Sequence, residues 1–160
     1  MHAFFINTIK THVMKNELRF LTTDGFRPVK NDIDYEIPDF NNVDLLDIEE
    51  RPGAYIIVSQ SQYFQYPDGE SKIIYIGESN NLKQRLSRHY KNYTEVCEFR
   101  LPPQYYPSRY NYMRAFGAKV YCFYVTGTQT SKNLESVLIE AFAKRYGAIP
   151  VGNGARSFRC

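Results

Sequence analysis

The sequence predicts a single α/β domain, because segments with strand character alternate with segments of helical periodicity. Three segments rich in β-branched and aromatic residues predict strands at residues 53–60, 72–77 and 119–127. Two segments with apolar residues three or four positions apart predict helices at residues 80–91 and 131–146. With 160 residues and 43% hydrophobic content, the chain is large enough to bury one core.

The segment before the first strand predicts little regular structure. Apolar residues spaced four apart indicate a short helix over residues 3–15. Residues 16–50 are expected to be irregular, because Asp-Gly and Arg-Pro turn signals interrupt them. We therefore divide the chain into an N-terminal extension, residues 1–50, and a domain, residues 51–160.

Local signals indicate where the elements of the domain begin and end. A Pro-Asp-Gly turn is expected at residues 67–69, between the first two strands. Asn80 is the expected N-cap of the first helix. Three prolines predict a loop over residues 99–112, and Gly147 is expected to end the last helix. The expected apolar face of that helix consists of Leu134, Val137, Leu138, Ala141 and Phe142.

Charge is divided unevenly along the chain. Residues 1–71 carry 6 basic and 12 acidic side chains, whereas residues 72–160 carry 14 basic and 5 acidic ones. Residues 31–50 contain eight carboxylates and no lysine or arginine. We expect this segment to lie away from any nucleic-acid surface or to contact a basic patch of the same chain or of another copy, and a solvated connector is the alternative. The positive C-terminal half permits a nucleic-acid partner, although a solvated surface produces the same pattern.

Cysteine usage and hydropathy favour a cytoplasmic protein. Cys97, Cys122 and Cys160 are odd in number and match neither a disulfide framework nor a zinc-ligand spacing. The apolar cluster near the start is broken by Lys10 and His12, so it predicts neither a signal peptide nor a membrane span. We expect no membrane partner, and the pattern leaves open whether the protein is a monomer or a homodimer.

Two tyrosines beside glycines mark the candidate site. Gly53 precedes Tyr55 on the first predicted strand, and Tyr75 precedes Gly77 on the second. In an antiparallel hairpin these residues can lie close together, and Gly77 would allow backbone or substrate to approach closely. Ordinary strand tyrosines are the alternative for each residue taken alone.

The two predicted helices add ionisable groups to this candidate site. Arg85 and His89 are four apart, so they share one helix face. Arg85 can bind a phosphate through two hydrogen bonds, and His89 can transfer protons near neutral pH. Glu135 lies at the rim of the last helix's apolar face, where a carboxylate could hold Mg²⁺. A surface arginine, a solvated histidine and a glutamate that favours the helix dipole are the alternatives.

Together and in this order, these residues resemble the GIY-YIG nuclease superfamily. The resemblance covers about residues 51–153. Its elements are Gly53-Ala54-Tyr55, Tyr75-Ile76-Gly77, Asn81-Leu82-Lys83-Gln84-Arg85 with His89, the helix segment 134–139, and Pro150 leading to Asn153. The resemblance implies a three-stranded antiparallel sheet flanked by helices. It also implies metal-dependent hydrolysis of a phosphodiester bond, with DNA as the expected partner.

The resemblance further implies roles for individual residues. Glu135 would hold Mg²⁺ or Mn²⁺, and Arg85 would bind the scissile phosphate. Tyr55, with His89 near its hydroxyl, would take a proton from the attacking water, and Tyr75 would orient water or phosphate. Which tyrosine is the general base stays open. The supporting residues are Gly53, Gly77 and Asn153, the last expected to hold the backbone of the site.

Three features depart from the superfamily pattern. Ala54 replaces the isoleucine of the first motif, and the loop between the two tyrosine motifs is longer than usual. Glu78 occupies a position where several members have a lysine, whose positive charge would stabilise a phosphate. Lys72 or Lys83 would have to supply that charge, unless Arg85 acts alone.

Residues 99–116 interrupt the superfamily pattern and are expected to contact nucleic acid. They interleave three arginines with four tyrosines and contain no acidic residue. Arginines can bind phosphates or guanine edges, and tyrosines can stack on exposed bases. A loop that packs onto the sheet is the alternative. The expected nucleic-acid-binding residues are Arg88, Arg109, Tyr110 and Arg114.

The preferred interpretation is a DNA endonuclease with a restriction or phage-related role. One alternative is a DNA-binding module that keeps the fold without catalysis, for which Glu78 is the best argument. The other alternative is a nuclease that acts on RNA or on branched DNA.

Overall fold

The computed structural model describes residues 16–22, 33–40 and 45–154, so the helix predicted over residues 3–15 lies outside the described residues. Over the described residues the chain forms six strands, β1 (Tyr35–Ile37), β2 (Gly53–Val58), β3 (Phe64–Tyr66), β4 (Gly69–Ser71), β5 (Ile73–Ser79) and β6 (Lys119–Tyr124). The α-helices are α1 (Leu82–Cys97), α2 (Ser108–Phe116) and α3 (Ser131–Tyr146). Short 3-10 segments lie at Asn16–Thr22, Leu45–Asp47 and Pro103–Tyr105.

One antiparallel sheet contains four strands in the order β1, β6, β2, β5. The expectation of three strands is therefore wrong by one, because β1 pairs with β6 through Tyr35 opposite Cys122. A three-residue strand is too short to show alternation, and its partner lies far along the chain. β1 and β5 form opposite edges of this sheet, so the acidic residues Asp34 and Glu36 lie across the sheet from β5.

The sheet packs between two helical layers. Along β2, Tyr55 and Ile57 face α1 and α2, whereas Ala54, Ile56 and Val58 face α3. All six residues of β2 are buried. This central strand therefore connects the two halves of the core.

Part of the segment expected to be irregular also contributes to the core. Leu18, Phe20 and Leu21 are buried on the α3 side of the sheet. The Phe20 ring meets Phe142 of α3 edge to face, with ring centroids 5.6 Å apart. Local periodicity does not reveal this segment, because its buried residues are held by contacts with α3.

The start of α1 differs by one residue from the expected cap. Asn81 is the N-cap, because its side chain accepts a hydrogen bond from the Gln84 backbone N–H. The Asn80 side-chain oxygen instead lies 3.3 Å from the Ser131 hydroxyl oxygen of α3. The helix then continues to Cys97, beyond the end expected at residue 91.

The expectation of a loop over residues 99–112 is wrong from Ser108 onward, where α2 begins. Pro107 stands immediately before the first turn, where a missing backbone N–H costs no helical hydrogen bond. The prolines therefore precede the helix and do not interrupt it. Tyr110 and Met113, three residues apart on α2, are buried against the sheet and α1.

Two other expectations are confirmed. The turn at residues 67–69 joins β3 to β4, which form a separate two-stranded hairpin. α3 has the expected bounds, and Gly147 ends it in the left-handed conformation at φ 79°. On its apolar face Val137 is only half-buried, and Ile139 is buried in the core. None of the described helices combines the length and the apolar character that a membrane span requires.

Candidate active site

The pairing of β2 with β5 places the two tyrosines on one face of the sheet. Tyr55 lies opposite Gly77, and Ile57 lies opposite Tyr75, so the two phenol rings are diagonal neighbours with centroids 6.0 Å apart. A Cβ at Gly77 would lie 2.5 Å from the Tyr55 hydroxyl oxygen and 2.6 Å from the Tyr75 ring. Glycine is required there because the two phenols occupy the space above it.

A buried histidine connects Tyr55 to α2. The Tyr55 hydroxyl oxygen lies 2.5 Å from His89 Nε2, and His89 Nδ1 lies 2.7 Å from the Tyr110 hydroxyl oxygen. Asn92 Nδ2 donates a hydrogen bond to the same Tyr110 oxygen at 3.1 Å. Tyr55, His89 and Tyr110 are all buried. Tyr110, expected to bind nucleic acid, instead lies in the core in hydrogen-bond contact with the histidine.

The histidine is neutral in this environment. Burial lowers the pKa of His89 to about 3, and the positive charges of Arg109, Arg85 and Arg88 contribute to the decrease. His89 is therefore a neutral hydrogen-bonding ring at pH 7, and not a group that titrates near neutrality as its unperturbed pKa of about 6.5 suggests.

The two phenols differ in exposure. Tyr55 is fully buried, whereas Tyr75 is half-buried. Burial raises the pKa of Tyr55 well above 10, and the nearby Tyr75 contributes to the increase. Burial also raises the pKa of Tyr75, but the charges of Arg109 and Arg85 oppose that increase. Of the pair, only Tyr75 reaches solvent in this state.

Two arginines from different helices meet at the tyrosine pair. The Arg109 guanidinium carbon of α2 lies 4.7 Å from the Tyr75 ring centroid and 5.0 Å from the Tyr110 ring centroid. Its Nε is buried and has no hydrogen-bond partner among the described residues. Arg85 of α1 is also half-buried, and its charge acts on the pKa of both tyrosines. Arg109, expected as a loop residue that reads DNA, therefore belongs to the centre of the site.

A pair of carboxylates lies on the α3 side of the same strand. Glu78 is opposite Ala54 on the α3-facing side of β5, and its Oε2 accepts a hydrogen bond of 2.6 Å from the Ser131 hydroxyl. Ser131 and Glu135 are one helical turn apart and share a face of α3. Burial raises the pKa of Glu135 to about 7, and the charge of Glu78 contributes while Arg85 opposes it.

Asn153 holds the backbone of β5, the position expected for it from the sequence. Its Oδ1 accepts a hydrogen bond from Ile76 N–H at 2.9 Å, and its Nδ2 donates one to the Ile76 carbonyl at 2.8 Å. Ile76 lies between Tyr75 and Gly77 on an edge strand. The amide therefore satisfies edge groups that would otherwise lack a strand partner and fixes the segment that carries the site.

Other residues named from the sequence lie away from the tyrosine pair. Lys72 precedes β5 at the end opposite Glu78, and its Nζ lies 4.8 Å from the Tyr63 ring centroid. Lys83 donates a hydrogen bond to the Leu46 carbonyl at 3.4 Å. Neither lysine therefore replaces the positive charge missing at position 78.

The remaining residues predicted from the sequence lie outside the group at the two phenols or serve strand packing. Arg88 is exposed on α1, and the Arg114 guanidinium carbon lies 4.8 Å from the Phe99 ring centroid. A Cβ at Gly53 would overlap the Phe123 carbonyl oxygen of β6. Gly53 therefore serves strand packing, and the two arginines lie outside the group formed by Arg85, Arg109 and the phenols.

The sequence analysis did not predict a role for Asn92. It also did not predict the contact of Tyr110 with His89 or the contact of Glu78 with α3. Asn92 follows His89 by three positions on α1, and this spacing was a usable signal for a shared face. Tyr110 gave no such signal, because its role depends on α2 packing against α1. The contact of Glu78 with α3 likewise depends on tertiary structure.

The donor chemistry fits a hard divalent cation. Within the described residues no group of three or more histidine, cysteine or acidic side chains could hold a metal ion. Glu135 and Glu78 together offer carboxylate oxygens, and Mg²⁺ typically binds through one or two carboxylates with substrate phosphates and water as its other ligands. A pair of close carboxylates, one with a raised pKa, is also stabilised by a cation.

Comparison with known proteins yields one family. The model of the GIY-YIG catalytic domain matches residues 51–146, which is more than half of the chain. No curated protein matches the chain, and no solved structure matches it. The matched residues include both tyrosines, Arg85, His89 and Glu135.

Proposed function

Because this chain belongs to the GIY-YIG family, we propose that it is a metal-dependent DNA endonuclease that hydrolyses a phosphodiester bond at the edge strand β5. The observation that carries the proposal is the convergence of two phenols, two guanidinium groups and two carboxylates around residues 75–78. The charges of Arg85 and Glu135 both act on the pKa of Tyr75, and those of Glu78 and Arg85 both act on the pKa of Glu135, so the two sides of the sheet meet at this edge. The guanidinium groups suit phosphate binding, the carboxylates suit cation binding, and the phenols suit contact with the attacking water.

Arg85 and Arg109 are the groups that bind the phosphate. Both are half-buried, and the positive charge of each acts to lower the pKa of Tyr75 against the effect of burial. The buried, unpartnered Nε of Arg109 gains a hydrogen-bond acceptor when an anion enters the site. Two guanidinium groups also stabilise the additional negative charge of the transition state.

Glu135 and Glu78 are the residues that would hold the cation. When bound, Mg²⁺ or Mn²⁺ at these carboxylates would neutralise charge on a phosphoryl oxygen and make a nearby water more acidic. Ser131 fixes the orientation of Glu78 through its 2.6 Å hydrogen bond, as a neighbouring donor commonly orients a metal-binding carboxylate. Glu78 would therefore assist metal binding where other members use a lysine at this position.

The exposure of the phenols favours Tyr75 as the group that meets the attacking water. Tyr75 is half-buried, and Tyr55 is fully buried behind it against His89. A phenol that accepts a proton must be helped by nearby positive charge, since its ordinary pKa is about 10. Arg109 and Arg85 supply that charge by lowering the pKa of Tyr75 against the effect of burial.

The test of this function is a cleavage assay on a panel of substrates. Supercoiled plasmid, linear duplex, branched DNA and single-stranded RNA are incubated with and without Mg²⁺ or Mn²⁺, and products are resolved on gels. We expect metal-dependent nicking or cutting of DNA, and loss of cleavage in Glu135→Gln. Cleavage that is equally fast in a chelator would contradict the proposal. A preference for RNA or for branched DNA would change the substrate, and cutting at defined sequences would support a restriction role.

A DNA-binding module without catalysis is the second candidate. The observation that favours it is the negative charge of Glu78 beside Glu135, since two carboxylates repel a phosphate unless a cation neutralises them. The same assay separates the two functions. A module without catalysis would bind DNA with equal affinity in metal and in chelator, and it would leave every substrate intact.

A further inference from the structure

We infer that Tyr110 and Asn92 are positioning residues that fix the tautomer of His89 and thereby direct the Tyr55 hydroxyl toward Tyr75. The observation is a series of hydrogen bonds that runs from Asn92 through Tyr110 and His89 to Tyr55. The importance of this series for catalysis rests on the proposed function, whereas the tautomer itself does not.

The series has a defined direction because Asn92 donates at its outer end. The Asn92 Nδ2 hydrogen goes to the Tyr110 oxygen at 3.1 Å. The Tyr110 hydroxyl hydrogen must then go to an acceptor, and among the described residues its remaining hydrogen-bond partner is His89 Nδ1 at 2.7 Å. Nδ1 is consequently the unprotonated nitrogen of the ring.

A neutral imidazole carries one hydrogen, so the hydrogen of His89 lies on Nε2. Nε2 then donates to the Tyr55 oxygen, 2.5 Å away. The hydroxyl hydrogen of Tyr55 cannot point back at His89, because a donor already occupies that direction. It is therefore available to Tyr75, the diagonal neighbour on β5.

Tyr75 is the phenol next to the Tyr55 hydroxyl: the two ring centroids are 6.0 Å apart, and the Tyr55 oxygen and the Tyr75 ring both border the space above Gly77. Burial raises the pKa of Tyr75, and a side-chain hydrogen bond with Tyr55 is among the effects that lower it. A hydrogen bond lowers the pKa of a phenol when it is donated to the phenol oxygen, because it stabilises the phenolate. A hydrogen bond donated by the Tyr55 hydroxyl to the Tyr75 oxygen would act in that direction.

Packing alone does not explain these polar groups. Tyr110 is 2% exposed and His89 is 3% exposed, and an apolar ring at either position would avoid the cost of burying polar atoms. Each of these side chains has its polar atoms paired within the series. A fully paired buried network fixes one arrangement of hydrogens, which a site that moves a proton requires.

The experiment measures the tautomer directly in DNA-free protein. Nitrogen-15 NMR of histidine distinguishes a ring nitrogen that carries a hydrogen from one that does not. The chain contains three histidines, and the His89 signals are assigned by their loss in His89→Gln. At pH 7 we expect wild-type His89 to be protonated on Nε2 alone.

Asn92→Asp is designed to reverse the series with little change in shape. A carboxylate only accepts, so Tyr110 would donate to Asp at position 92 and accept from Nδ1–H. We expect the His89 hydrogen to move to Nδ1, whereas Gln84→Glu, on the exposed surface of the same helix, leaves it on Nε2. Tyr110→Phe removes the acceptor and donor together, and we expect a mixture of tautomers. Thermal unfolding confirms that each variant is folded.

Two results would overturn the inference: wild-type His89 protonated on Nδ1, or an Asn92→Asp protein that folds and keeps the Nε2 hydrogen. These outcomes do not depend on nuclease activity, so failure of the proposed function would not produce them. The catalytic consequence has its own readout. We expect kcat on DNA to fall by about tenfold or more in Asn92→Asp with KM little changed. A switched tautomer with unchanged kcat would contradict that consequence.

Discussion

The two sides of the candidate site satisfy their polar atoms in different ways. The phenol side consists of Tyr55, Tyr75, His89, Arg85 and Arg109, and the carboxylate side consists of Glu78 and Glu135. On the phenol side, buried neutral groups are paired in a directed series of hydrogen bonds, and two guanidinium groups lie over or near the rings. On the carboxylate side, two half-buried acids lie close enough for one to raise the pKa of the other.

This difference teaches which part of the site is complete without a ligand. On the phenol side, Tyr55 and His89 stay neutral across the physiological pH range, because burial raises the pKa of Tyr55 and lowers the pKa of His89. On the carboxylate side, the pKa of Glu135 is raised to about 7, so Glu135 holds a proton or a cation according to the pH and the metal concentration. We therefore expect substitutions on the carboxylate side to change how cleavage depends on the metal ion. Substitutions on the phenol side should lower the cleavage rate without changing that dependence.

The largest expected effect comes from Glu135→Gln on the carboxylate side. We expect DNA cleavage in Mg²⁺ to fall by at least about a thousandfold, because the ion would act mainly on charge that develops in the transition state. DNA affinity should change little. Single-turnover cleavage and fluorescence anisotropy measure the two quantities, and Glu140→Gln, exposed on the same helix, is the matched control. More than about a tenth of the wild-type rate in Glu135→Gln would remove this residue from the metal site.

The phenol side is tested by its two arginines. Arg85→Ala and Arg109→Ala should each lower the single-turnover rate by about a hundredfold or more, since each loses a charged donor in a partly buried site. Lysine at either position should recover little, because an ammonium cannot form the paired contacts of a guanidinium. Arg88→Ala, an exposed neighbour on α1, is the control. If Arg109→Ala behaves like Arg88→Ala, then Arg109 is a structural cation on Tyr75.

The pH dependence of metal binding sharpens the comparison. Glu135 has a pKa raised to about 7, and only its ionised form binds a cation well. Metal affinity should therefore rise as pH increases through about 7 and level off above it. Glu78→Gln removes one cause of the raised pKa, so the rise should move to lower pH. Mn²⁺ binding followed by electron paramagnetic resonance over a pH series measures this. Superimposable curves for the two proteins would contradict a coupled carboxylate pair.

Stability should respond to pH in opposite ways on the two sides. The folded-state pKa of His89, about 3, lies below its unfolded value of about 6.5, so the contribution of His89 to stability falls as pH decreases from 6.5 toward 3. The folded-state pKa of Glu135, about 7, lies above its unfolded value of 4.5, so ionisation of Glu135 costs stability as pH rises from 4.5 to 7.

Metal-free Glu135→Gln should consequently be more stable than wild type by about 1–2 kcal/mol near pH 8, a figure reduced for partial solvation of the carboxylate. Near pH 4 the two proteins should be equally stable, because Glu135 is protonated in both folded and unfolded chains. Urea unfolding at the two pH values measures the difference. A variant that is less stable at both values would show that the carboxylate is stabilised by a fixed partner.

The smallest expected effect is at Arg114, which lies outside both sides of the site. Arg114→Ala should weaken DNA binding by about 1 kcal/mol or less and reduce the salt dependence by about one unit of slope, with the chemical step intact. Affinity at two salt concentrations and the rate in saturating DNA measure these quantities. An unchanged affinity would make the stacking of Arg114 on Phe99 purely structural, and a lost chemical step would extend the phenol side to the end of α2.

Much of the fold could be predicted because its signals are local. The bounds of α3 followed from apolar periodicity and from Gly147, and the turn at residues 67–69 followed from its residue types. β1 could not be predicted, since a strand of three residues owes its conformation to pairing with β6. α2 was not predicted, because the prolines near it indicated a loop although they lie before the first turn of the helix.

The site divides in the same way. The positions of Tyr55 beside His89 and of Asn153 on the backbone of β5 were predicted through the resemblance to the superfamily. The position of Arg109 over Tyr75 was not predictable, because it depends on how α2 packs. The contact between Glu78 and Ser131 joins β5 to α3 and has no local signal.

The most direct test of the account uses DNA in which sulfur replaces one nonbridging phosphate oxygen. The central claim is that the carboxylate side holds a cation against the phosphate that the phenol side positions. Mg²⁺ binds sulfur poorly and the softer Mn²⁺ accepts it, so wild type should cleave this DNA slowly in Mg²⁺ and recover in Mn²⁺. Mn²⁺ should not restore cleavage of this DNA by Glu135→Gln. In Arg85→Ala, Mn²⁺ should increase the cleavage rate by the same factor as in wild type, starting from a lower rate. Two results would contradict the claim. One is wild-type protein that cleaves the sulfur-substituted and the unmodified DNA at the same rate in Mg²⁺, and the other is Glu135→Gln that cleaves the sulfur-substituted DNA at the wild-type rate in Mn²⁺.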